Sequence, residues 1–225
     1  KSKINLLFRF IQYIERQVVL FDAIEDAAFP VVNNMDGIGT LRSLKETASA
    51  ENKLELLKKY LQEFKVRIVL TAHPTQFYPG SVLGIITDLT KAIKENNLTR
   101  IHELLAQLGK TPFFKHKKPT PYDEAVSLIW YLENVFYKSF GTVYDYIQQN
   151  IFDGEHIKND VINIGFWPGG DRDGNPFVTP EITLKVASRL RETIVKNYYR
   201  DLRQLKRKVS FAGVEDRVSV LEVEM

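Results

Sequence analysis

Two short β-branched runs, Val66–Leu70 and Val161–Phe166, constrain this chain most, because each ends in a polar loop broken by proline and glycine. Near-continuous apolar runs of this length are typical of strands buried in parallel sheets. After the second run comes Trp167-Pro-Gly-Gly-Asp-Arg-Asp-Gly-Asn-Pro, and then Thr179-Pro180-Glu181, a helix start with a hydroxyl cap, a first-position proline and an early acid. Strand, polar loop, helix is the order in which α/β proteins present their chemistry. Most other apolar residues recur at helical spacing. Ile4, Leu7, Phe8, Ile11, Ile14 and Val18 predict an apolar helical face within residues 1–28, with a loop over 29–40 and a helix over 51–64. Ser81 is read as the cap of a helix burying Val82, Leu83, Ile86, Leu89 and Ile93, and the next helix as stopping at Gly109. Thr120-Pro121-Tyr122-Asp123 predicts a capped helix with Ala125, Ile129, Leu132, Phe136, Phe140, Val143 and Ile147 on one face, and Pro180–Val209 predicts another.

The fold class that follows is mainly α with a few short parallel strands. Four consecutive segments are expected: a helical lead-in (1–64), a first strand–loop–helix unit (65–97), a helical insertion (98–160) and a second strand–loop–helix unit (161–225). The last residues, Val218–Met225, alternate apolar and charged as if continuing, so the chain reads as a segment of something longer.

Composition narrows the function. The chain has 225 residues, 44% of them hydrophobic, enough for a real core. A net charge of +3 suits an anionic small substrate but lacks the concentrated basic face of a nucleic-acid binder. With no cysteine there are no disulfides, thiolate nucleophiles or cysteine–zinc sites. No signal peptide or membrane-length apolar run is present, so a cytoplasmic protein with no membrane partner is expected.

The candidate site residues are those at the two strand ends. Gly169 and Gly170 allow a tight turn, Arg172 offers a planar five-donor fork for phosphate or carboxylate, and Asp171 and Asp173 flank it. His73, held extended by Pro74, is placed to accept a proton or steady developing negative charge. Two blander readings stay open: an arginine–aspartate knot that only shapes the loop, and a histidine packed at a turn. An incomplete EF-hand is set aside because Asp-x-Asp-Gly lacks the later glutamate.

Val69–Gln76 (VLTAHPTQ) together with Gly169–Thr179 (GGDRDGNPFVT) resembles phosphoenolpyruvate carboxylases, as do Pro119–Ala125, Glu133-Asn134 and Trp167. The chain departs from the family pattern at Pro79-Gly80, where two basic residues are usual. The resemblance implies the N-terminal part of a helix-rich β/α barrel of the TIM type. It also implies a lyase that joins bicarbonate to phosphoenolpyruvate through carboxyphosphate and an enolate, giving oxaloacetate and phosphate. His73 and Arg172 would be catalytic. Arg172, Trp167, Gly169, Gly170, Asp171, Asp173 and Asn175 would form the substrate-binding wall, with His73 and Arg172 within ligand reach of one another. Mg²⁺ or Mn²⁺ would serve the full enzyme, with ligands outside this chain, and the full enzyme would be a homotetramer. The chain by itself would be inactive. Two alternatives remain: a non-catalytic helical module binding an anion or partner through Lys115–Lys118, beside Phe113 and Phe114, and the basic stretch Arg189–Lys208; and a phosphorelay with His73 as acceptor.

Overall fold

The structure, a computed structural model, describes residues 2–71, 78, 80–113 and 119–224. Helices α1 (Ser2–Val32), α2 (Leu41–Ala50) and α3 (Leu54–Glu63) precede strand β1 (Val66–Leu70), and α4 (Gly80–Lys94) and α5 (Leu98–Lys110) follow it. One long helix then runs as α6 (Pro121–Tyr131), a π-helical turn (Leu132–Phe136) and α7 (Tyr137–Asn150). Strand β2 (Ile162–Phe166), α8 (Pro180–Lys208) and α9 (Val214–Glu224) complete the order. The described chain is therefore mainly helical with two short parallel strands. Among the described residues no helix is long and apolar enough to cross a membrane.

These elements pack as two compact units, Lys1–Ser43 with Thr75–Lys118, and Leu44–Pro74 with Pro119–Met225. The boundary at Pro74 separates β1 from α4, so segment 65–97 of the sequence reading is shared between the units.

In the first unit, α4 lies between α1 and α5. Val19 and Ala23 of α1 meet Val82, Ile85, Ile86, Leu89 and Ala92 of α4, and Leu104 and Leu108 of α5 close the cluster. Arg16 joins the ends: its Nε donates to the Leu108 carbonyl at 3.1 Å and its guanidinium lies 4.9 Å from the Phe113 ring centre. A cation there complements the carbonyl end of α5. The apolar face expected on α1 is not the one that packs. Ile4, Leu7, Phe8 and Ile14 are each about 60% exposed, and burial begins only at Val19. The reason is length: 31 residues of α1 extend about 46 Å, whereas 15 residues of α4 cover only about 22 Å of it.

In the second unit, β1 and β2 pair in parallel, with Val66 opposite Ile162 and Leu70 opposite Phe166. The entry to β2 is fixed by polar groups. The buried Asn159 side chain donates to the Leu61 carbonyl at 3.0 Å and the Phe64 carbonyl at 2.6 Å, tying it to the end of α3. The Ile162 amide donates to the Tyr144 hydroxyl of α7 at 3.0 Å. Helix α6 starts with the capping box expected at Thr120 and Asp123. The strands are less buried than their sequence predicts: Val66, Ile68 and Val69 are each 36–41% exposed. Two strands present more apolar surface than the surrounding helices cover.

Smaller corrections have local causes. Helix α1 runs through the expected loop to Val32, with Pro30 inside its last turn. Ser81 lies inside α4, which starts at Gly80, and α5 passes Gly109 to end at Lys110. Helix α2 is absent from the sequence reading because only Leu41, Leu44 and Ala48 mark its apolar face; Thr40 caps it by accepting from the Ser43 amide at 3.2 Å. The alternating tail folds as α9, where Glu222 meets Lys206 at 2.8 Å and Arg203 at 3.7 Å.

Tyr137 joins α7 to α8 by donating its hydroxyl to Asp201 at 2.6 Å. Burial first, then this carboxylate, pushes the phenol from 10.0 up to about 12. An unfolded chain releases that proton near 10 and the folded one near 12. The contribution of Tyr137 to stability is therefore complete below pH 10 and lost as pH rises to 12. Urea titrations over that range will show a steeper alkaline loss of stability in the native chain than in Tyr137→Phe.

Candidate active site

The site begins where the strands stop. The Trp167 amide donates to the Leu70 carbonyl at 3.0 Å, extending the ladder by one bond past the last paired residues. The segments starting at Thr71 and Trp167 therefore leave the same end of the sheet side by side. This carboxyl end is where α/β folds gather ligand-binding loops. His73, two residues beyond Thr71 in sequence, lies outside the described residues, as does the rest of 72–77.

The second loop is built around its own hydrogen bonds. The amides of Gly170 and Asp171 both donate to the Trp167 carbonyl at 2.9 Å. The Asn175 amide donates to the Arg172 carbonyl, and Asn175 Oδ1 accepts from the Phe177 amide at 3.0 Å. Asp173 and Gly174 turn the chain with φ of 32° and 72°, and an aspartate is among the few side chains that tolerate that region. The loop is also locked to α8. Thr183 Oγ1 donates to the Gly169 carbonyl at 2.7 Å, and Gly169, at φ +74°, leaves room for Val186 alone: a Cβ there would stand 2.5 Å from Val186 Cγ2. Thr179 caps α8, as expected.

This scaffold holds Arg172 out to solvent. Asp171, Asp173 and Asn175 are exposed beside it, Trp167 is 52% exposed, and Gly169 is buried. The flanking aspartates make no ion pair with the guanidinium, so the arginine–aspartate knot that the sequence left open does not form among the described residues. Glu181, at the start of α8, lies within range of the Arg172 charge. The Thr179 hydroxyl first, its own amide next and Arg172 last hold Glu181 below the usual carboxylate range. The amides of Gly170 and Asp171 are already used within the loop. The residues that sequence reasoning missed are Thr183 and Val186, which fix the turn. The only signal for them was their place one and two turns after the Thr179 cap. Among the described residues no group of three or more histidines or carboxylates is arranged to hold a metal ion.

A parallel strand pair with an arginine loop at its carboxyl end, braced by a long helix, is the outline of a strand-end site in an α/β protein. The family model of phosphoenolpyruvate carboxylase matches residues 23–222, and the chain belongs to this family. It is 32% identical over 180 residues to a phosphoenolpyruvate carboxylase of Shewanella loihica, covering 72% of this chain and 20% of that protein. It is 28% identical over 202 residues to one from Aliivibrio salmonicida, covering 83% of this chain and 23% of the relative. A Vibrio vulnificus phosphoenolpyruvate carboxylase is 28% identical over 205 residues, or 84% of this chain and 23% of its own. The chain thus spans about one fifth of the length of the curated relatives it matches.

Gly169→Ala will cost at least about 2 kcal/mol, from left-handed strain and the clash with Val186 together. Gly170→Ala is the control, because its added Cβ meets only the Trp167 carbonyl at an ordinary 3.5 Å. It will stay within about 0.5 kcal/mol of the native chain in chemical denaturation.

Proposed function

We propose that this chain supplies the first part of the active site of a phosphoenolpyruvate carboxylase, which converts phosphoenolpyruvate and bicarbonate to oxaloacetate and phosphate. The observation that carries this reading is the in-register pairing of Leu70 with Phe166. It starts the TAHPTQ and WPGGDRDGN segments from neighbouring points on one sheet edge. On this reading Arg172 binds the oxygens of the transferring phosphoryl group or of bicarbonate. Its rigid fork matches two oxygens at once and stabilises charge as it moves. His73 takes the proton of carboxyphosphate, whose breakdown releases carbon dioxide beside the enolate, and it holds that carbon dioxide for attack. Trp167 walls the site against water, which would otherwise protonate the enolate.

The half-exposed face of β1 and the uncovered apolar face of α1 fit a piece of a larger fold, with β1 and β2 as early strands of a β/α barrel. The divalent-metal ligands then come from elsewhere in that fold, and the chain alone does not turn over. For the non-catalytic reading, Lys115–Lys118 lie outside the described residues, and in the basic stretch Arg200, Arg203 and Lys206 are engaged by Glu133 and Glu222.

In an enzyme carrying the whole family sequence, Arg172→Lys will cut kcat at least about a hundredfold despite conserved charge. His73→Asn will abolish carboxylation while retaining phosphoenolpyruvate binding. Coupled oxaloacetate reduction and equilibrium binding measure the two effects, and near-native turnover in either variant removes that residue from the site.

A further inference from the structure

We propose that helix α1 carries a self-pairing seam, and that its partner is α1 of a second copy of this chain, laid antiparallel. Ile4, Leu7, Ile11, Ile14, Val18 and Phe21 recur at alternating spacings of three and four residues, the a and d positions of successive heptads. All six are exposed, from 44% at Ile11 to 66% at Phe21. The seam lies on the opposite side of α1 from Val19 and Ala23, which pack on α4, and from Arg16, whose Nε bonds the Leu108 carbonyl of α5. The packing of this unit therefore leaves it free.

A sustained three–four repeat is the pattern of one helix seated along another, knobs into holes. In an antiparallel pair each a position faces a d position of the second copy. Centred between Gln12 and Tyr13, the pairing sets Ile4 opposite Phe21, Leu7 opposite Val18 and Ile11 opposite Ile14. Every layer then joins a β-branched side chain to another apolar one, and no seam residue lacks a counterpart.

Charge selects a second copy and fixes the direction. Lys3 and Arg9 mark one end of the seam, and Asp22, Glu25 and Asp26 the other. Antiparallel overlay sets each basic end beside the acidic end of the second copy and opposes the two helix dipoles, whereas parallel overlay stacks like on like. The overlap of residues 4–21 is about 27 Å long. Phe8 and Phe10 flank it, each 59% exposed. The pairing buries on the order of 1,200 Å² over both copies, the lower end of specific interfaces. Leu6 and Tyr13, also exposed, lie outside the seam, so a larger fold can meet α1 on a face the dimer leaves open.

Sedimentation equilibrium of the 225-residue chain tests the pairing. The expected result is a monomer–dimer equilibrium, with dimer dominant at about 100 μM. Leu7→Lys and Val18→Glu each change a side chain that is exposed in the monomer, so circular dichroism will show native helicity in both. Each will weaken dimerisation at least about a hundredfold by burying an unpaired charge. An equimolar mixture of the two variants will associate at least about tenfold more tightly than either alone. In that mixture the antiparallel register sets the introduced lysine opposite the introduced glutamate in one layer and Val18 opposite Leu7 in another. Parallel pairing sets position 7 against position 7 and gives no recovery. A chain that stays monomeric at that concentration, its seam then left to another helix of a longer polypeptide, overturns the proposal. So does a dimer that neither variant weakens, or a mixture that does not recover.

Discussion

Everything local to the site depends on two five-residue strands lying parallel in one register. Parallel neighbours are far apart in sequence, and here about ninety-five residues separate Leu70 from Phe166. Holding them together takes more than ladder bonds, which contribute little net stability each. Asn159 supplies part of the remainder by fastening the approach to β2 onto the end of α3, and Tyr144 supplies another part from α7. A one-residue slip would turn every β2 side chain to the opposite face and detach Trp167 from Leu70. Register is therefore the variable that decides whether the two motifs share an origin.

Helix α8 then converts that origin into a fixed loop. Its first turn is capped by Thr179, its second receives the Gly169 carbonyl on Thr183, and its third presents Val186 to the space that only a glycine leaves open. Those interactions are short-range and independent of any ligand. The loop is pre-ordered, which lowers the conformational cost of binding.

Much of this was legible in the sequence because the informative residues act locally. Both strands, the Thr120 capping box and the Thr179 cap follow from neighbouring residues, and the structure has them where the sequence places them. The failures are equally physical. The α1 stripe from Ile4 to Val18 has the correct period, but period says nothing about whether a partner is long enough to cover it. Helix α2 escaped because a ten-residue helix with one buried alanine has almost no apolar signal. The arginine–aspartate knot that the sequence left open does not form among the described residues, because adjacent side chains in a tight turn diverge. Thr183 and Val186 were invisible because their roles exist only once the loop folds back on the helix.

This arrangement also limits which main-chain donors the loop keeps free. In many glycine-rich loops the main-chain amides point at the ligand and the side chains are incidental. Here the amides of Gly170 and Asp171 are turned inward to one carbonyl, and those of Asn175, Phe177 and Val178 bond within the loop. The amides of Arg172, Asp173 and Gly174 and the Arg172 guanidinium bond to nothing else among the described residues. On the reading proposed above, Arg172 carries the recognition, its two parallel donors matching a flat or tetrahedral oxyanion, while the glycines set where the fork stands.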